Sequence, residues 1–257
     1  MGAHRRRAGG GRRARARRRL NREAHISAVA TIQLSPGPLA DLSGSGCGRL
    51  LAELDDLAVD PPRALLVRAL DGVGAREPRV PTPSGLRDPA AVLASFPAPT
   101  VAVWNGPAIG AGAELLLAAD LRIVGPDATM AFPEVGDGEL PCWGGTQRLT
   151  RAGGVALALR LLVVGDPVGA DALVRSGLAV LDDDPGARAD ALAEQLSLGA
   201  PRAQAAARDA VQRGRDLTLA DALRLESDLN LLISTTEDRA EGIAAFFEKR
   251  PPRFTGR

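Results

Sequence analysis

Two glutamates stand in short, otherwise apolar stretches and are the chain's most informative candidates for chemistry. Glu114 follows the small-residue run GPAIGAGA, and Glu134 follows ATMAFP. Two carboxylates near one small-residue loop can divide proton transfer, with one acting as base and the other as acid. Each also has a plainer interpretation. Glu114 could stabilise the first turn of a helix, worth about 0.3–1 kcal/mol, and Glu134 could cap a turn.

The glycines before Glu114 indicate a place where an oxygen atom can approach the backbone. Gly106, Gly110 and Gly112 precede the helix predicted over Ala113–Asp120. The first amides of a helix have no acceptor within it, and small residues allow close approach. The run suits a phosphate or an oxyanion. It matches neither the P-loop, which needs a following Gly-Lys-Ser/Thr, nor the dinucleotide fingerprint, which has a different glycine spacing.

Composition excludes several other kinds of site. The chain has 257 residues, enough for one large domain or two small ones, and 45% are hydrophobic. No uncharged apolar stretch reaches 18 residues, so we expect no membrane span. The only histidines, His4 and His25, lie near the N-terminus, and Cys47 and Cys142 have no metal-ligand spacing. Chemistry therefore falls to carboxylates, backbone amides, hydroxyls or a borrowed cofactor.

The N-terminal segment differs in charge from the rest of the chain. Ten arginines lie between Arg5 and Arg22, and subtracting their charge from the net +1 leaves −9 for the rest. We expect residues 1–25 to form a disordered arginine-rich tail. It could bind nucleic acid or an anionic surface, but we favour an extension without a role and expect no nucleic-acid partner. It has no apolar h-region, so we predict a cytoplasmic protein.

Hydrophobic periodicity predicts an α/β protein. Strands alternate with helices in the first two thirds of the chain, which predicts βαβ-type crossover units, and the last third is predicted to be helical. The final helix is predicted to start at a cap formed by Ser234 and Glu237 and to end before Pro251. The predicted strands are Ile26–Leu34, Ala64–Leu70, Pro99–Trp104, LRIVG after Asp120 and Ala128–Phe132; the first helix is Arg49–Ala58; a proline-rich loop fills 71–89.

The segment around the glutamates resembles the crotonase superfamily, the enoyl-CoA hydratase/isomerase family. NGPAIGAGAEL, FPE and PCWGGTQRL occur in the family's order and register, and EDRAEGIAAFFEKRPPRFTG resembles the family's C-terminus. The resemblance implies an α/β crotonase-like spiral of ββα units over 26–200. It also implies a C-terminal helical trimerisation region over 201–257, and thus a homotrimer or hexamer.

The same resemblance implies an activity. It is hydration of the α,β double bond of an acyl-CoA thioester, as in fatty acid metabolism, with no cofactor and no metal because CoA is part of the substrate. Glu114 and Glu134 match the two glutamates that handle water, and Ala111 matches a backbone N–H donor of the oxyanion hole. Further positions matching substrate or CoA contacts are Gly110, Phe246, Lys249 and Phe254.

One departure from the family pattern keeps other functions open. The second oxyanion donor normally lies in an F-x-A-G-x-D loop, which is replaced here by GVGAREPRVPTPSG. Its prolines have no N–H to donate, so Val80 or a nearby amide would have to substitute. The alternatives are another crotonase chemistry (isomerisation, decarboxylation or hydrolysis) in specialised metabolism and a catalytically decayed homologue that serves as a structural partner.

Several residues beside the motifs have no assigned chemistry. Asp137 and Glu139 bring like charges near Glu134 or face solvent. Cys142 is expected to be an inert thiol. Gln147 and Arg148 are expected to be structural.

Overall fold

The computed structural model describes residues 28–35, 37, 39, 42, 44–74 and 87–257. The predicted tail over residues 1–25 and the candidate donor Val80 lie outside these ranges. Within the ranges, no helix is long and apolar enough to cross a membrane.

The chain alternates strands and helices up to residue 197 and is helical from there to residue 248. The strands are β1 Val29–Ser35, β2 Ala64–Ala69, β3 Val73–Gly74, β4 Thr100–Trp104, β5 Pro107–Ile109, β6 Leu121–Val124, β7 Thr129–Ala131, β8 Val168–Gly169 and β9 Val180–Leu181. The helices are α1 Gly44–Val59, α2 Pro89–Ala94, α3 Ala111–Leu117, α4 Gly145–Gly153, α5 Val155–Leu159, α6 Ala170–Arg175, α7 Pro185–Ser197, α8 Pro201–Gly214, α9 Leu219–Ser234 and α10 Glu237–Glu248. A 3-10 turn spans Glu134–Asp137, and a π-helical turn spans Arg160–Val164.

Successive pairs of strands contribute to two different sheets. A five-stranded parallel sheet has the order β1-β2-β4-β6-β9, and a four-stranded sheet has the order β3-β5-β7-β8. The pairs β2–β3, β4–β5 and β6–β7 each place one strand in each sheet, and α2 and α3 complete the first two turns. The predicted spiral of ββα units is therefore confirmed.

The central strands β2 and β4 of the large sheet are buried on both faces, as is typical of parallel sheets. Leu65 and Val67 of β2 point into the main core, whereas Leu66 points to a second cluster that contains Ala189 of α7. This split follows from the two-residue period of a strand. The carboxyl ends of β2, β4 and β6 in this sheet lead into β3, β5 and β7 of the smaller sheet.

The C-terminal helices are attached to the core by a buried ion pair. Arg208 of α8 donates from Nε to Asp120 Oδ1 at 2.7 Å and also binds the carbonyls of Ala94 and Phe96. Asp120 Oδ2 accepts from the N–H and hydroxyl of Thr100, both at 2.9 Å. Because Asp120 follows α3 and Thr100 begins β4, the contact joins the helical region to the ββα spiral.

The last residues fold back over α10. Asp238 is 3% exposed and accepts N–H bonds from Thr255 at 2.6 Å and Gly256 at 2.9 Å. Arg63, just before β2, donates to the Phe254 carbonyl at 2.9 Å. The C-terminal segment is therefore tied to the amino end of β2.

Several predicted elements differ from the structure. The first described strand residue is Val29, and α1 begins five residues before Arg49. The run read as a loop over 71–89 contains β3 and the start of α2, and the glycine run contains β5. Such two- and three-residue strands carry too few residues for periodicity to reveal.

The predicted cap of the last helix was also wrong. Ser234 is the last residue of α9, and the Thr236 hydroxyl caps α10 by accepting from Arg239 N. The domain boundaries at 25 and 200 stay predictions.

Candidate active site

Glu114 lies in the first turn of α3 and is fully buried. Its Oε1 accepts two backbone hydrogen bonds, from Trp143 N at 2.8 Å and from Gly145 N at 2.7 Å. A buried carboxylate without such donors would be costly, and bonds to an ionised acceptor are about twice as strong as neutral ones. The side chain therefore points inward to the turn before α4. Its hydrogen bonds join two separate segments, whereas stabilisation of the first turn of α3 would need no such contact.

Glu134 opens the 3-10 turn that follows β7 and is 8% exposed. Its carbonyl accepts from Glu139 N at 2.8 Å, and Gly138 closes the turn with a φ of 78°. That left-handed conformation is inexpensive only for glycine. The turn thus fixes the backbone of Glu134 while its carboxylate is buried.

A backbone bond joins the two glutamate-bearing segments. Gly110 N donates to Ala131 O at 3.0 Å, at the point where β5 pairs with β7. Glu114 lies four residues after Gly110, and Glu134 lies three residues after Ala131. The structure therefore brings the two glutamate segments together, as the small-residue loop suggested.

Gly110 contributes shape at this point. Its φ of 53° and ψ of −117° lie in a region that other residues rarely adopt. Its N–H is bonded to Ala131 O, and its carbonyl accepts from Glu114 N at 2.9 Å. Both polar backbone groups of Gly110 are thus used within the fold, so any role in binding substrate would be to leave space.

Ala111 is the first residue of α3 and is fully buried. Its N–H belongs to the first turn, where amides have no acceptor within the helix. The neighbouring Gly112 packs directly on β3: a Cβ there would lie 2.3 Å from the Val73 carbonyl oxygen. β3 pairs in parallel with β5, and Gly74 is the register partner of Ile109. The described end of β3 therefore lies beside the segment that leads into Ala111.

Arg148 and Gln147 make contacts within the protein. Arg148 Nη1 donates to the Trp143 carbonyl, and burial lowers the pKa of Arg148 while the charges of Asp88 and Glu114 act to raise it. Gln147 is exposed and accepts from Arg151 at 2.7 Å.

The remaining residues near Glu134 differ in exposure. Asp137 is exposed, whereas Glu139 and Cys142 are half-buried. Within the described ranges, no group of three or more His, Cys, Asp or Glu side chains is arranged to hold a metal ion.

The C-terminal candidates lie apart from the glutamates within one chain. Phe246 is 78% exposed, and Lys249 is exposed at the end of α10. The Phe254 ring packs beside Gly242 of α10, and its carbonyl is bound by Arg63. Arg63 precedes the amino end of β2, whereas the glutamates follow the carboxyl ends of β4 and β6. Phe254 therefore lies toward the opposite end of the large sheet from the two glutamate segments.

The sequence did not reveal what holds Glu114. Trp143 and Gly145 act through backbone N–H groups, which residue identity does not report. The one available signal was the glycine pair Gly144–Gly145, because a Cβ at Gly145 would lie 2.9 Å from Glu114 Oε1. Two buried carboxylates on joined segments, with the first-turn amides of α3 between them in sequence, suit proton exchange with a bound water and binding of a carbonyl oxygen.

Comparison with known proteins gives a consistent result. The family model described as Enoyl-CoA hydratase/isomerase matches residues 83–257, more than half of the chain. A human protein, enoyl-CoA hydratase domain-containing protein 2, mitochondrial, is 41% identical over 172 residues, which are 64% of this chain and 59% of the relative. The 2,3-dehydroadipyl-CoA hydratase of Escherichia coli (strain K12) is 39% identical over 169 residues, 64% of this chain and 66% of the relative. The chain thus spans less than two thirds of the length of these curated relatives.

A solved structure extends the similarity to most of the chain. The crystal structure of an enoyl-CoA hydratase from Bacillus anthracis matches with a TM-score of 0.80 and 27% identity, covering 90% of this chain and 96% of that one. The predicted crotonase-like α/β fold is therefore confirmed.

Proposed function

The chain belongs to the enoyl-CoA hydratase/isomerase family, and from this membership we propose that it is an enoyl-CoA hydratase-like lyase. It adds water to, or removes water from, the α,β double bond of an acyl-CoA thioester. The observation that carries the proposal is the pair of buried glutamates, Glu114 and Glu134, on segments joined by the Gly110–Ala131 bond. The substrate class rests on the names of the relatives.

The geometry supports distinct roles for the parts of the site. In hydration, a water oxygen attacks the β carbon, the thioester becomes an enolate, and a proton then reaches the α carbon. The Ala111 N–H is suited to the enolate oxygen, and losing one such donor typically costs 10²–10³ in rate. Glu114 Oε1 is used by two amides, so a proton taken up by Glu114 goes to Oε2. Glu134 then supplies or removes the second proton.

Turnover of crotonyl-CoA by the purified full chain tests the proposal. Loss of the enoyl absorbance should accompany formation of 3-hydroxybutyryl-CoA, with ¹⁸O from labelled water on the β carbon. Glu114→Gln and Glu134→Gln should each lower kcat by about 10²–10⁴ and leave the Kd for acetoacetyl-CoA largely unchanged. Glu114→Gln keeps an oxygen for the two N–H bonds, so the fold should survive.

A matched control is Glu139→Gln, which removes a half-buried carboxylate on the same segment and should keep kcat within about threefold. Full activity in either glutamate variant would exclude the paired-carboxylate mechanism. Acyl-CoA binding without turnover of any enoyl thioester by the wild type would favour the decayed homologue, and shifted double bonds without hydroxyl product would favour an isomerase. The missing F-x-A-G-x-D motif is the observation that keeps these alternatives in the test.

We also infer that the active form is a cytoplasmic homotrimer or hexamer. The C-terminal helices carry large apolar side chains in solvent, including Leu231 at 69%, Phe246 at 78% and Phe247 at 77% exposure. Clustered exposure of this kind commonly marks a subunit contact. In this proposal, Phe246 and Lys249 cover the CoA of a neighbouring subunit. Light scattering should give three or six times the chain mass of 26.6 kDa; a monomer would exclude it.

A further inference from the structure

The turn from Trp143 to Gly145 has an unusual task, because two of its amides point at the same oxygen. Both donate to Glu114 Oε1, at 2.8 and 2.7 Å. Gly144 between them has a φ of 87°, a left-handed conformation favoured by glycine. Such a turn is flexible by composition, since it contains two glycines in a row. Something outside the turn must therefore keep both amides aligned.

Arg148 binds the opposite side of the same turn at two consecutive carbonyls. Its side chain donates from Nη1 to Trp143 O, and its backbone N donates to Gly144 O at 2.9 Å. The guanidinium lies directly against the turn, because a Cβ at Gly144 would fall 2.6 Å from Arg148 Nη1. The Gly144 carbonyl belongs to the peptide unit that carries the Gly145 N–H, and the Trp143 carbonyl belongs to the peptide unit between the two donating N–H groups. One residue thus holds two consecutive peptide units of the turn through their carbonyls.

The charge of Arg148 also belongs to the site. Burial lowers the pKa of this guanidinium, and the carboxylates of Asp88 and Glu114 act in the opposite direction; Arg215 adds a repulsive charge. A buried cation is costly unless nearby anions compensate it. Glu114 therefore stabilises the charged form of Arg148 across the turn that both of them bind.

We propose that Arg148 is a positioning residue for Glu114, holding the Trp143–Gly145 turn so that its two N–H groups keep the carboxylate in one orientation. Arg148 itself touches no substrate in this scheme. The inference rests on the proposed function only in that Glu114 takes part in hydration. The contacts themselves hold whatever the reaction is.

The test combines Arg148→Gln with Arg148→Lys. Gln removes the charge and shortens the donor, so kcat for crotonyl-CoA hydration should fall about 10- to 100-fold, the usual effect of losing a hydrogen bond from a charged group. KM should stay within about threefold. Lys keeps a charged donor for the Trp143 carbonyl and should recover at least half of the loss on a logarithmic scale. Arg151→Gln, one turn further along α4 and partly exposed, should behave as the wild type.

Amide hydrogen exchange provides a readout that does not depend on turnover. In Arg148→Gln, the Trp143 and Gly145 amides should exchange at least about tenfold faster, while the amides of α3 and β4 stay protected as in the wild type. Unchanged protection of both amides, or a kcat loss that Arg148→Lys does not recover, would overturn the proposal. If the wild type shows no hydration, the proposed function fails, yet the exchange measurement still decides the role of Arg148.

Discussion

Glu114 and Gly145 are in direct contact across the turn before α4. The Gly145 amide donates to Glu114 Oε1 at 2.7 Å, and an added Cβ at position 145 would meet that same oxygen at 2.9 Å and the Phe132 ring at 3.1 Å. The glycine is therefore required twice, once for its N–H and once for its lack of a side chain. The contact also links α3 to the start of α4.

Gly145→Ala should impair both catalysis and stability. The added methyl displaces the Glu114 carboxylate or the turn by a few tenths of an ångström, and misplacement on that scale is costly for positioned groups. We expect kcat for crotonyl-CoA to fall about 10²-fold. The free energy of unfolding should fall by about 1–3 kcal/mol. Gly136→Ala is the control, because a Cβ there meets open space. Equal activity of the two variants would contradict the assignment.

Gly112→Ala should destabilise the fold itself. The new Cβ would lie 2.3 Å from the Val73 carbonyl oxygen and 2.6 Å from its carbon, and a backbone neighbour cannot rotate away. Urea unfolding should show a loss of about 3 kcal/mol or more. Gly48→Ala, with nothing within 4 Å on the exposed side of α1, should be neutral or slightly stabilising. A Gly112→Ala protein as stable as the wild type would show that β3 can move aside.

The buried pair of Arg208 and Asp120 should be needed for attachment of the C-terminal helices. Both side chains are little exposed, at 16% and 14%. Arg208→Met leaves Asp120 without its charged partner, so the free energy of unfolding should fall by about 3 kcal/mol. Arg224→Met, which removes a largely exposed partner of Asp221, should change it by less than about 0.5 kcal/mol. A small effect of Arg208→Met in urea unfolding would mean that packing alone docks α8.

The C-terminal fold-back should open in acid. Hydrogen bonds from the Arg250 side chain and the Arg253 N–H lower the pKa of Glu241 from 4.5 to about 2. A carboxylate whose pKa is depressed in the folded state adds stability above its unfolded pKa, and that stability is lost as pH falls through the folded pKa. Protection of the 250–257 amides should therefore decline between pH 4.5 and 2.

The pH dependence has its own control in the same region. Glu241→Gln should remove most of the change in hydrogen exchange over this range, whereas Glu226→Gln, an exposed change on α9, should leave it intact. Because Arg250 and Glu241 are partly exposed, added salt should weaken the effect. An unchanged acid profile in Glu241→Gln would assign the opening to another carboxylate.

The sequence determined the elements that carry their own periodic signal. β2 and β4 were predicted within one residue of their bounds, because continuous apolar runs fit strands buried on both faces. Motif order identified the family and predicted the glutamate pair, since both depend on residue type and spacing along the chain. The cap of α10 was placed two residues early, because Thr236 and Ser234 are both suitable capping residues and only the backbone conformation distinguishes them.

What only the tertiary structure decided concerns backbone groups and long-range approach. Neither β3 nor β5 is long enough to show a hydrophobic period. Their pairing nevertheless brings the backbone of Val73 into close contact with Gly112. The amides that hold Glu114 come from 29 and 31 residues away, and an N–H has no residue identity by which to be found. Sequence thus predicted which carboxylates belong to the site. Packing decided what each is bonded to, because that depends on where two distant turns meet.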